Sequence, residues 1–152
     1  SDWLYEMTCL NFLEDITKEK GGIPFPNKVS FISQNWKKYP ALIQDSTLVT
    51  KIIDIEKTIN GRAYYYIPKE KVLPFAGQIK TGDIILITTK KKGLDTAHVG
   101  IAIENEGQIY LLHASVSDKK VSITTETLPD YLQRITSHSG IMIGRLINFK
   151  SN

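Results

Sequence analysis

The sequence predicts an α+β fold, helices packed on a mostly antiparallel β-sheet, and three observations predict it. Apolar residues recur at helical spacing only as far as Asn60-Gly61. Beyond that point the pattern alternates or runs continuously over short stretches bounded by glycine, which is the strand signature. No repeat, low-complexity segment or interdomain linker divides the 152 residues, a length that suits one core, so helices come first and a sheet follows in a single domain.

The elements follow in order. Asp2 can cap a first helix carrying Trp3, Leu4, Met7, Leu10, Leu13 and Ile16, stopped by Gly21-Gly22. Ile23-Pro24-Phe25-Pro26-Asn27 reads as an irregular connector, because proline breaks a regular ladder. Ser30 to Trp36 fits a short helix that ends before Pro40. The clearest helix is capped by Asp45 or Ser46 and ended by Asn60-Gly61. Its stripe of Leu48, Val49, Ile52, Ile53, Ile55 and Ile59 is expected in the core. Arg62 to Ile67 is β-prone, and Asp83 to Thr89 is a continuous apolar run, as in a strand covered on both faces. Strands are expected at Ala97–Glu104, Gln108–Ser115, Lys120–Thr125 and Gly140–Asn148, and a short helix at Leu128–Ile135 with Pro129 in its first turn.

Charge excludes little but points away from nucleic acid. The formal charge is +3, the lysines are dispersed, and Lys90-Lys91-Lys92 beside Gly93 reads as a solvated loop. A nucleic-acid stripe needs tighter clustering, so no such partner is expected. No apolar run reaches a membrane span, and no signal peptide is visible. The single cysteine, Cys9, rules out an internal disulfide.

The chemistry lies in one hairpin. With Glu106-Gly107 as a two-residue turn, Asn105 pairs with Gln108, Ile103 with Tyr110, Ile101 with Leu112 and Val99 with Ala114, giving one uniformly apolar face. The other face carries His98, Gly100 and Ala102 beside Ile109, Leu111, His113 and Ser115, with Gly100 opposite His113 and His98 opposite Ser115. His98 and His113 then become diagonal neighbours roughly 5–8 Å apart. Small residues next to them leave room for another element, such as a helix laid on this face. A neutral imidazole can take a proton from a thiol or hydroxyl if a second polar group fixes its tautomer. The same pair is equally compatible with a satisfied core or rim. His98, His113 and Asp95 as metal ligands lack a recognisable spacing. His138, in the polar run Thr136-Ser137-His138-Ser139-Gly140, is expected in a surface loop. Tyr64, Tyr65 and Tyr66 can wall a groove or simply pack. Asp95 can orient His98 or close a turn, and Arg145 can meet a substrate carboxylate.

Gly82-Asp83-Ile84-Ile85, then Gly93-Leu94-Asp95-Thr96-Ala97-His98-Val99-Gly100-Ile101, then Leu111-Leu112-His113-Ala114-Ser115 resemble the amidase-like branch of the NlpC-type cell-wall cysteine peptidases. Ser1-Asp2-Trp3-Leu4 and Tyr65-Tyr66-Ile67-Pro68 extend the resemblance over nearly the whole chain. It implies a papain-like fold, with His98 as general base and His113 as orienting residue. It also implies hydrolysis of peptide or amide bonds of peptidoglycan through an acyl-enzyme, without metal or organic cofactor. The expected partner is a peptidoglycan-derived peptide, with Tyr65, Tyr66 and Asp95 as candidate binding residues, and the expected location is the cell envelope. In this branch the nucleophilic cysteine precedes the Ser-Asp-Trp stretch, so the resemblance implies a nucleophile upstream of Ser1. Cys9 could replace it only against the physics: it lies far along its helix, without a cationic neighbour to favour a thiolate. A catalytically inactive domain that binds the cell wall or a protein partner, and an acyltransferase on the same fold, remain open alternatives.

Overall fold

The frame of the protein is the antiparallel sheet expected from the second half of the sequence. A computed structural model describes residues 1–26, 28–115 and 119–147. Its strands are β1 (Leu13–Asp15), β2 (Ile23–Pro24), β3 (Tyr65–Pro68), β4 (Ile84–Thr89), β5 (Thr96–Asn105), β6 (Gln108–Ser115), β7 (Lys120–Ile123) and β8 (His138–Leu146). The order is β2-β3-β8-β4-β5-β6-β7, with β1 paired to β8, and all of these strand pairs are antiparallel. The helices are α1 (Asp2–Cys9), α2 (Phe31–Gln34), α3 (Pro40–Gln44), α4 (Thr47–Asn60), α5 (Lys69–Phe75) and α6 (Leu128–Arg134). Among the described residues, no helix is long and apolar enough to cross a membrane.

Strand β4 is apolar throughout its first half because both of its faces are covered. Ile85 and Ile87 point into the larger core, with Ile141 and Ile143 of β8, Leu111 of β6, Val72 and Phe75 of α5, and Leu128 and Leu132 of α6. Leu86 points the other way, with Met142, Leu4 of α1 and Leu13. Full burial of each such side chain contributes about 2 kcal/mol, so two helical layers fix the β4–β8 centre from opposite sides. An ion pair closes one end of it. Arg145 forks onto Asp83 at 2.8 and 2.7 Å and also donates to the Gln78 carbonyl at 3.1 Å. Arg145 is thus committed to Asp83 rather than free for a substrate carboxylate.

Several expectations are corrected. The first helix stops at Cys9 instead of running to Gly21, because Asn11 takes a left-handed conformation (φ 59°). Leu13 then enters a strand, and Ile16 packs in the larger core from the turn that follows. Pro24 does not prevent pairing, since β2 is a two-residue edge strand against β3, where a missing donor can face solvent. Asn27 and Asn148 lie outside the described residues. The apolar stripe of α4 is mostly not core: Ile53 and Ile55 are 49% and 45% exposed, and Ile59 is the isoleucine of that helix that is buried. Buried Glu56 sits beside it, accepting from the backbone of Ile32 and Ser33 at 3.0 and 3.1 Å and so tying α2 to α4. Helices α3 and α5 were not anticipated: Pro40, read as the stop of the preceding helix, is the first residue of α3, and Pro74 lies inside α5.

Candidate active site

The hairpin turn sets the site. Glu106 and Gly107 have φ of 51° and 77°, the pair of left-handed residues that a two-residue turn requires. The β5–β6 ladder follows as expected from Asn105↔Gln108 through Ile103↔Tyr110 to Ile101↔Leu112. It ends there, so the expected pairings of Val99 with Ala114, Gly100 with His113 and His98 with Ser115 are not part of the ladder. Beyond that point β6 continues against β7, with His113 opposite Ser122. On its other side β5 pairs with β4, His98 lying opposite Ile87, and the next pair is Thr88↔Thr96, so Ala97 is bulged out of register. A bulge next to a residue re-aims its side chain, and here that residue is His98.

The consequence is contact between the two histidines. His98 Nε2 lies 2.7 Å from His113 Nδ1, with the rings edge-to-face and their centroids 4.9 Å apart. Space beside Gly100 is filled by the Leu111 side chain, which a methyl at Gly100 would meet at 2.6 Å. The helix on this face is α6, which brings Tyr131 edge-on to the His113 ring at 5.5 Å. Thr127 caps α6, accepting from the Asp130 backbone, and Leu128 and Leu132 bury its inner face.

An open cleft of about 380 Å³ surrounds the pair. Beside the histidines it is walled by Ser122, Thr124, Thr125, Glu126, Tyr131 and Arg134. His138 also lines it, against the expectation of a surface loop. It is the first residue of β8, opposite Thr89, and is 5% exposed. The polar residues around it misled the reading because they form a second bulge: the ladder jumps from Thr89↔His138 to Thr88↔Gly140, leaving Ser139 to bond Thr88 at 2.7 Å. The His138 ring stacks at a tilt on Tyr131, 5.6 Å away. Its Nδ1 is the one fully buried side-chain nitrogen or oxygen without a partner among the described residues.

Burial favours the neutral form of two of these imidazoles, His98 and His138. Burial, then the nearby His113, lowers the pKa of His98. Burial first, and then His98, Lys69 and Arg134, push His138 down to about 4. The site therefore holds a neutral base with one ring nitrogen tied to a neighbour, the condition for general-base chemistry at neutral pH. Among the described residues, no group of three or more His, Cys, Asp or Glu side chains is placed to hold a metal ion.

The other candidates lie elsewhere. Cys9 is exposed at the C-terminal end of α1 and is not among the residues lining the cleft. Its thiol interacts with the Tyr5 hydroxyl. Asp95 does not reach His98. Its carboxylate accepts from the Ser1 hydroxyl and from the Thr96 backbone N–H, the latter at 2.7 Å, and lies 2.9 Å from the Ser1 backbone nitrogen. Tyr65 lies under Lys18, and Tyr66 packs edge-on to Phe25, neither in the cleft.

The model of the AmiA-like, N-acetylmuramoyl-L-alanine amidase-like family matches residues 1–141, and the chain belongs to that family. No curated protein matches it. Among solved structures, an N-acetylmuramoyl-L-alanine amidase from Bacteroides uniformis is 34% identical with a TM-score of 0.89, over 97% of this chain and 62% of that one. A Bacteroides fragilis protein provisionally described as a xylanase is also 34% identical, with a TM-score of 0.88, over 95% of this chain and 64% of that one. A Legionella pneumophila protein at 21% identity and a TM-score of 0.64 shares the fold. The chain thus spans somewhat under two thirds of the length of the structures it resembles.

Proposed function

We propose that this member of the amidase-like family is the histidine-bearing part of a papain-like, NlpC-type cysteine hydrolase that cuts amide bonds of peptidoglycan. The observation that carries the reading is the 2.7 Å contact between His98 Nε2 and His113 Nδ1 inside an open cleft. Between two neutral imidazoles one nitrogen must donate. With the proton on His98 Nε2, His113 accepts at Nδ1, and His98 Nδ1 keeps a free lone pair. That nitrogen takes the proton of a thiol, and the thiolate attacks the carbonyl carbon. As the C–N bond breaks, the same proton passes to the leaving amine. Water then cleaves the thioester, with His98 again as base.

The nucleophile in this reading is a cysteine from outside these 152 residues, since Cys9 is remote from the lining. The substrate places the reaction in the cell envelope and requires neither metal nor nucleic acid. A xylanase chemistry fits less well. Glycosidases use two facing carboxylates, whereas the one carboxylate among the described lining residues is Glu126, held by Arg134 at 2.6 Å.

The test is release of peptide from soluble peptidoglycan by the 152-residue chain and by a form extended through whatever the parent gene encodes ahead of Ser1. The expected result is no turnover by the chain alone. The extended form turns over and loses about a thousandfold or more in His98→Ala. An extended form without turnover overturns the proposal in favour of a binding domain, and turnover indifferent to His98 overturns the role of the histidine pair.

A further inference from the structure

The loop that joins β4 to β5 carries Lys90-Lys91-Lys92, a run that neither the core nor the proposed chemistry uses. By sequence it is a solvated turn, but the fold gives it neighbours. Gly93 takes a left-handed conformation (φ 82°), and its carbonyl accepts from the backbone of Ser30 and Phe31, both at 2.9 Å. A methyl at Gly93 would meet Ser30 Oγ at 3.0 Å and the Phe31 nitrogen at 3.1 Å, so this close approach suits glycine. The lysine loop is thereby laid against the start of α2, which leads into the single 3₁₀ turn Trp36–Lys38.

Five lysines from two segments then share a surface with two aromatic rings. Lys91 Nζ lies 4.2 Å and Lys38 Nζ 5.9 Å from the centre of the Phe31 ring, and Lys37 Nζ lies 5.7 Å from the centre of the Trp36 ring. Lys37, Lys38, Lys90, Lys91 and Lys92 are all exposed, and among the described residues none of them enters an ion pair. Two carboxylates on the adjoining elements are buried and engaged elsewhere: Glu56 accepts from Ile32 and Ser33, and Asp95 from Ser1 and Thr96. The whole chain carries a net charge of only +3, so this one surface holds more than the entire positive surplus.

The chemistry of the patch narrows its partner. All five cations are lysines, compact charges without the planar fork that reads base edges or grips one phosphate at two points. Such charges add their effects against a surface of diffuse negative charge. The same stretch is amphipathic: Trp36 and Tyr39 are half-buried, and α3 follows at once with Ile43 57% exposed. Lysines interleaved with Trp, Tyr and an exposed aliphatic tip are the composition that settles at the headgroup level of a bilayer. We propose that this surface docks the protein peripherally on an anionic phospholipid membrane, with the lysines against the headgroups and Trp36 at their level. The assignment is independent of the hydrolase reading.

The test is co-sedimentation of the 152-residue chain with vesicles of equimolar phosphatidylglycerol and phosphatidylcholine, and with vesicles of phosphatidylcholine alone. Binding is expected to the anionic vesicles only, and is expected to disappear as salt rises to about 0.5 M. Lys38→Gln combined with Lys91→Gln should weaken it about twentyfold, roughly fivefold for each lysine. Lys71→Gln combined with Lys80→Gln removes the same charge from α5 and from the opposite end of β4, and should leave binding nearly unchanged. The two tryptophans are Trp3 and Trp36, so in Trp3→Phe the emission reports Trp36 alone and should shift to the blue on anionic vesicles. Equal binding to neutral vesicles, equal loss from the two lysine pairs, or Trp36 emission unmoved by vesicles overturns the proposal. A DNA duplex bound more tightly than the vesicles through Lys38 and Lys91 overturns it in favour of a nucleic-acid surface.

Discussion

His138 gives the sharpest test of the electrostatics, and the perturbation is His138→Phe. Buried at 5% exposure, its imidazole faces His98, Lys69 and Arg134 and carries a pKa of about 4. In the unfolded chain the same ring titrates near 6.5. Between those values the unfolded state binds a proton that the native state refuses, so stability rises with pH across that window and falls on acidification. The group's contribution is fully present above about pH 6.5 and is lost as pH drops toward 4. At about pH 4.5 the loss is close to 2 kcal/mol after allowance for relaxation of the site. Phe keeps the ring against Tyr131 and removes both the titration and the orphaned Nδ1, whose burial costs about 1 kcal/mol or more. Urea unfolding at about pH 7 and pH 4.5 should therefore show His138→Phe at least as stable as the parent at the higher pH. On acidification it should lose about 2 kcal/mol less than the parent does. His98, also lowered, weakens the fold on acidification in the same direction and is present in both proteins. An equal acid loss in the two proteins would refute the argument that a neutral, buried His138 is held there at a cost.

Other outcomes are more direct. Arg145→Ala leaves Asp83, 2% exposed, as an uncompensated buried charge and should cost about 3 kcal/mol in denaturant unfolding. Arg145→Lys should recover only part of that, because one ammonium cannot make the fork. Gly100→Ala drives a methyl to 2.6 Å from Leu111 and 2.8 Å from the Leu112 carbonyl. It should cost about 2 kcal/mol, and imidazole ¹⁵N shifts should show the His98–His113 hydrogen bond lengthened or lost. Cys9→Ser should change neither stability beyond about 0.5 kcal/mol nor any turnover of the extended form, and Cys9 should react readily with a thiol reagent in the folded protein.

Which parts of this were legible follows from how local their causes are. That His98 and His113 share a face was readable, because a two-residue turn pins the register and alternation carries it outward from Glu106-Gly107; their direct contact was not, because the β5–β6 ladder stops at Ile101↔Leu112 and the Ala97 bulge lies beyond it. His138 was not readable. Its neighbours Thr136, Ser137 and Ser139 are polar, and only pairing with Thr89, distant in sequence, turns the ring inward. The α4 stripe failed in the opposite sense: helical periodicity was correct, but periodicity cannot say whether another element covers the stripe, and Ile53 and Ile55 remain exposed. Tyr131 carried a weak signal, since Thr127 and Asp130 announce a helix start and Tyr131 faces the interior one residue later. Nothing in the sequence placed it against His113.

The two bulges explain why the site stands where it does. Ala97 is displaced just before His98, and Ser139 just after His138, so both irregularities fall at the same end of β4, at Thr88 and Thr89. An unbroken ladder would alternate strictly, and that alternation would fix which side chains line the face. One extra residue in each flanking strand breaks the constraint and increases local twist. The Ile85–Ile143 centre stays in register and packed while the strand ends turn two histidines toward β6 and α6. His113 needs no bulge, because β6 leaves β5 after Leu112 and is held instead by β7. Rigidity and reach thus come from different parts of the same strands: the paired, buried middle supplies the first, and the bulged ends supply the second. On this argument, deleting Ala97 should leave the core folded and His98 opposite Ile87, but should remove the local twist that aims its ring, so that the His98–His113 hydrogen bond lengthens or is lost. A His98–His113 imidazole coupling that persisted in such a protein would show that the bulge has no part in building the site.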